Sequence, residues 1–168
     1  MRLHLFKRID QVRTYYFNAG ILTVLGCFKL NDPSPTAIAE QFKVSAITAE
    51  PGFVLGPPFG TVTDVAAFYQ QLTGTTCLSD ITLSLNADGS SAINNPATCR
   101  NAGDAGSFAG FSGARWGVNG GTLTLTAPNG TTTDYGVIRD GNNLRLTRQQ
   151  PIPGSSSSST VTTVLRRL

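Results

Sequence analysis

Residues 122–148 read TLTLTAPNGTTTDYGVIRDGNNLRLTR. Thr122–Thr126 alternates polar and apolar residues without a break, the period of a half-buried strand. Asn129-Gly130 supplies a tight turn into Thr131–Arg139, which carries Tyr135 and Val137. Asp140-Gly141 supplies the next turn, into Asn143–Arg148, with Leu144 and Leu146 on one face. Connections this short join antiparallel neighbours only, so the stretch predicts a meander of three strands.

The same grammar extends in both directions. Upstream, Asp80–Asn86 places Ile81, Leu83 and Leu85 inward, and Ala87-Asp88-Gly89 turns the chain into a weaker strand, Ser90–Ile93. Residues 94–113 are rich in Gly, Ala and Asn and read as a long loop carrying Cys99. Ala114–Val118 is a strand holding Trp116, turned by Asn119-Gly120-Gly121. Gln41–Ala49 is a first strand with Phe42, Val44 and Ala46 on one face, although Ile47 breaks the alternation. Glu50–Thr63 contains Gly52, Gly56, Pro57, Pro58 and Gly60 and reads as a loop. Asp64 has the character of an N-cap, Val65–Leu72 has helical spacing, and Gly74 is placed to end that helix. Downstream, PIPGSSSSS at 151–159 is a connector before a last strand, Thr160–Leu168. The expectation is an all-β fold of about eight short strands with one short helix, a barrel or a sandwich.

The chain has 168 residues, of which only 14% are charged and 40% are apolar, so neither a coiled coil nor a charged disordered chain fits. The formal charge of +3 sits in residues 1–26, where Arg2, Lys7, Arg8 and Arg13 face Asp10 alone. The remainder has no excess of basic residues, so nucleic acid is not an expected partner. A basic start followed by the short apolar run AGILTVLG reads as an export signal, far below the ~20 residues of a membrane-spanning helix. Val24-Leu25-Gly26-Cys27 resembles the lipobox of bacterial lipoproteins, in which the chain is cut before an acylated cysteine. The competing reading is an amphipathic or buried N-terminal helix in which Cys27 is an ordinary apolar residue.

If Cys27 takes lipid, Cys77 and Cys99 remain for one disulfide, as suits an oxidising compartment. No CxxC occurs, and His4 in the leader is the only histidine, so no metal site, no cofactor and no triad chemistry are expected. Asn86-Ala87-Asp88-Gly89 lacks the distant Glu of a calcium loop and reads as a hairpin turn. The acids are dispersed, with no carboxylate pair for glycoside chemistry.

The set FKVSAIT, Cys77-Leu78-Ser79-Asp80, ITLSLNADGS, a second cysteine, a Trp strand, TLTLT and NLRLT, in that order, resembles the lipocalin-like domain of bacterial lipoproteins. The resemblance covers Gln41 to Arg148. It implies an up-and-down β-barrel anchored to the outer membrane, with Cys77 and Cys99 bridged. The expected organisation is a signal peptide at 1–26, a tether at 27–40 and a barrel domain at 41–168. Phe42, Val44, Leu83, Leu85, Trp116, Leu123, Leu125, Tyr135, Val137, Leu144 and Leu146 should line its interior. A pocket for an apolar ligand and a filled core demand the same residue types, and eight strands enclose little more than their own side chains. Two non-enzymatic functions are therefore expected in competition. One is a lipid-anchored binder of a small apolar molecule. The other is an envelope interaction protein presenting residues 50–63 and 94–113 to a protein or glycan.

Overall fold

A computed structural model describes residues 34–94, 96–99, 108–152 and 155–168. It begins with a single turn, α1 (Pro35–Ile38), then β1 (Gln41–Gly56), β2 (Gly60–Asp64), α2 (Val65–Thr73) and a second single turn, α3 (Cys77–Asp80). β3 (Thr82–Leu85), β4 (Ser91–Ile93), β5 (Arg115–Asn119), β6 (Thr122–Thr126), β7 (Thr132–Asp140), β8 (Asn143–Pro151) and β9 (Ser158–Arg167) follow. A tight helical turn at Ala109–Phe111 precedes β5.

The strands form one antiparallel sheet in the order β4-β3-β1-β9-β8-β7-β6-β5, with β2 added to β1. The two ends of that order meet. Ser90 bridges Arg115, the Ser91 N–H donates to the Ala114 carbonyl at 2.8 Å, and the Trp116 N–H donates to the Gly89 carbonyl at 2.8 Å. The sheet thus curls into a nearly closed up-and-down barrel, all-β and lipocalin-like, with β2 as an outlying ribbon strand. Closure removes the open edges that a flat sheet would leave to foreign strands.

The meander read from residues 122–148 is present, with Leu123 opposite Tyr135 and Val137 opposite Leu146. Its turn chemistry is local. Gly120 and Gly121 both take positive φ between the paired residues Asn119 and Thr122, as a type I′ hairpin requires. Between Asp140 and Asn143 the central pair is Gly141-Asn142, one residue later than the sequence suggested.

Three expectations need correction. The break at Ile47 is a β-bulge: the pairing with β9 shifts between Val44 and Ala46, so Ser45 is the extra residue. Beyond it the faces exchange, and Ile47 and Ala49 are buried while Ala46 is not. Residues 50–63 are not a loop. β1 runs on past its β9 partner and folds back as β2, with Phe53 opposite Val62 and Gly56 opposite Gly60. Gly52 is required there, because a Cβ at that position would lie 2.8 Å from the Val62 carbonyl oxygen and from two threonine methyls. Finally, the described part of the tether is not loose: Ile38 is fully buried in the barrel core.

α2 forms where the sequence placed it. The Asp64 carboxylate accepts from the Ala67 N–H at 2.9 Å, and Gly74 closes the helix in the left-handed conformation. Its apolar stripe is only half-buried, and Leu72 points into solvent.

Candidate ligand-binding site beside Trp116

The side chains expected inside the barrel are there. Phe42, Leu83, Leu123 and Leu144 are wholly buried, and Val44, Leu85, Trp116, Leu125, Val137 and Leu146 nearly so. Tyr135 is half-buried, with its ring 5.5 Å from that of Phe111 and under the Arg148 guanidinium at 6.0 Å. The interior also holds residues that no alternation announced: Ile38, Phe108, Phe111 and Leu165. Phe108 and Phe111 come from the stretch read as an exposed loop, so its described part folds inward. Their separation of three residues, one helical turn, is the only local sign of a shared face.

Cys77 and Cys99 are bonded, with their Cα atoms 4.7 Å apart. The bridge joins α3 to the segment after β4, and a polar hub lies beside it. The Asp80 carboxylate accepts from the Thr76 hydroxyl at 2.6 Å and the Thr98 hydroxyl at 3.1 Å, and pairs with Lys43 at 3.4 Å. These donors, the Thr76 hydroxyl first, hold its pKa below the ordinary carboxylate value. Cys27 and the leader lie outside the described residues.

The barrel has an apolar cleft at the end where α1 enters. It has a volume of about 260 Å³. One wall is Pro35, Thr36 and Ala39, beside α1, and a second is Ala87 and Gly89 in the β3–β4 turn. The floor is Trp116, Gly117 and Val118 of β5. No lining side chain carries a charge, and Thr36 offers the only side-chain hydroxyl. An outward Cβ at Gly117 would meet nothing within 4 Å, so this part of β5 is uncrowded.

Trp116 is fixed in place. Its indole N–H is shared between the carbonyls of Ser90 at 2.9 Å and Asn86 at 3.1 Å. The turn that offers these carbonyls is itself tied. The Asp88 carboxylate accepts from the Ser90 hydroxyl at 2.6 Å and the Ser90 N–H at 2.8 Å, which lowers the Asp88 pKa. Arg115 donates to the Asp88 carbonyl at 2.9 Å. The arrangement presents a rigid aromatic group at an apolar cleft with its one polar atom already satisfied, a surface suited to an uncharged apolar molecule. No protein family, no curated protein and no solved structure matches this chain.

Proposed function

We propose that the chain is a non-enzymatic, lipocalin-like lipoprotein, held at the outer membrane through Cys27, that takes up a small uncharged apolar ligand. The observation that carries this reading is the cleft beside Trp116. It lies just under the ~300–1,000 Å³ of typical ligand sites, which limits the ligand to a small molecule or the end of a chain. The eleven interior residues then serve as a packed support for the site, and the ligand sits at the barrel mouth. The described part of the tether, from residue 34 on, lies at that same mouth and contributes Pro35, Thr36 and Ala39 to the cleft wall. Native mass spectrometry of protein purified from its own host tests both halves together. Added lipid mass on a chain beginning at Cys27, with a small molecule retained, is the expected result; an unmodified, empty chain removes the reading.

A second reading has its own observation. In the ribbon formed by β1 and β2, Val54, Leu55 and Phe59 are exposed, and residues 51–63 contain no ionisable side chain. An envelope protein that docks a protein or glycan would use this tip. Loss of a co-purifying partner on Phe59→Ser, with ligand content unchanged, favours it.

A further inference from the structure

We propose that Glu40 is the positioning residue of the Trp116 cleft: a two-arginine clamp on its carboxylate sets the place of the α1 wall and hence the fit of the ligand. This rests on the cleft being the ligand site. The wall itself makes weak claims on its position. α1 is a single turn whose Ser34 makes no side-chain cap, far too short to be stable alone. Ile38 anchors its inner side in the core, and something else must hold Pro35, Thr36 and Ala39 at their distance from Trp116.

Glu40 does this from immediately behind the wall. One carboxylate oxygen accepts from Arg139 on β7 at 2.9 Å, and the other forms an ion pair with the Arg167 guanidinium on β9 at 3.0 Å. Arg139 also donates to the carbonyl of Ala37, within α1, and its guanidinium lies 6.0 Å above the Phe42 ring. The Glu40 backbone is fixed as well, since its carbonyl accepts from the Leu85 N–H at 3.0 Å. Glu40 and Arg139 are about four-fifths buried, so the pair is shielded from water and stronger than a surface ion pair. Without the carboxylate, two guanidinium groups would face each other with nothing between them. An uncharged ligand would thus depend on an ion pair that it never touches.

Trp116 is the only tryptophan, so it reports on the cleft without ambiguity. The full chain is titrated with phenylnaphthylamine, an uncharged apolar fluorophore, and energy transfer from Trp116 is read. Glu40→Gln should weaken binding roughly tenfold, the scale of one lost charge-assisted bond. Arg139→Lys, which keeps the charge but cannot reach both Glu40 and Ala37, should fall between. Lys43→Ala, which breaks the ion pair of a β1 residue with Asp80 outside the clamp, should leave affinity unchanged. A purely structural role would move affinity in all three variants in step with stability, and that result would overturn the proposal. Wild-type affinity in both Glu40→Gln and Arg139→Lys would also overturn it while leaving the ligand site intact. If the wild-type chain binds no probe, the ligand reading falls, and acrylamide quenching still tests the clamp: Glu40→Gln should expose Trp116 to the quencher, and unchanged quenching refutes the positioning role.

Discussion

The indole N–H of Trp116 lies 2.9 Å from the carbonyl of Ser90, a residue at the far end of the sheet order that β5 meets on closure. This bond, with its second branch to Asn86, helps stitch the seam of the barrel. Both carbonyls keep another donor, Asn86 N–H for Ser90 and Gly89 N–H for Asn86. Trp116→Phe should therefore cost only about 1 kcal/mol, one ordinary hydrogen bond. Trp116→Ala should cost roughly 3–5 kcal/mol through the cavity that it leaves. Urea titrations followed by circular dichroism measure both, and equal losses would contradict the assignment.

The bulge at Ser45 leads to a counterintuitive expectation. With Ser45 deleted, Val44, Ile47 and Ala49 fall on one face by simple alternation. The deletion variant should fold with a loss of about 1–2 kcal/mol, which includes the Ser45 hydroxyl bond to the Val164 carbonyl. Deleting Thr48 instead turns Ala49 and every later residue of the strand to the wrong face, and should abolish cooperative unfolding. Near-ultraviolet circular dichroism separates the two outcomes.

Reading the chain by alternation worked where the cause is local. Leu123, Leu125, Leu144 and Leu146 alternate because their strands are regular and one face meets the core. It failed at Ile47, where an extra residue reverses the faces, and at residues 50–63, where Gly and Pro mark a bent ribbon as readily as a loop. Ile38 was hidden by its Pro-rich neighbours, and Phe108 and Phe111 by the glycines around them. The cleft had one mark in the sequence, the inward-facing Trp116. It is assembled from three segments far apart in the chain, each contributing small residues, and the Glu40 clamp joins residues about a hundred positions apart. Such sites exist only after folding.

The disulfide between Cys77 and Cys99 spans 22 residues. In the chain-entropy account a closed loop of this size stabilises by about 3 kcal/mol. The Cys77→Ala, Cys99→Ala double variant should lose at least that much, because both sulfurs are also buried. Equilibrium urea unfolding gives the value, and an unchanged midpoint would rule the bridge out as a stabilising element.

Acid should destabilise the fold through Asp80 and Asp88. Both carboxyl groups have pKa values lowered in the folded chain, chiefly by the hydroxyls of Thr76 and Ser90 respectively. A lowered folded pKa contributes stability that is present above the ordinary carboxylate range near pH 4 and lost as pH falls through the folded value. Thermal midpoints should therefore drop below about pH 4, and the drop should be shallower in an Asp80→Asn, Asp88→Asn variant. An identical pH profile in that variant would contradict the assignment.

The pairing of β1 with β9 also sets a timetable. Ser45 bonds to Val164, 119 residues later, while most other strand pairs join sequence neighbours. At roughly 5–20 residues per second, synthesis leaves the β9-facing edge of β1 without its partner for on the order of ten seconds. Hairpins such as β6–β7 need no such wait, since their strands emerge together. A newborn chain therefore carries a strand edge of unpaired backbone groups through most of its birth, and the cell must keep that edge from neighbouring chains until the last strand arrives.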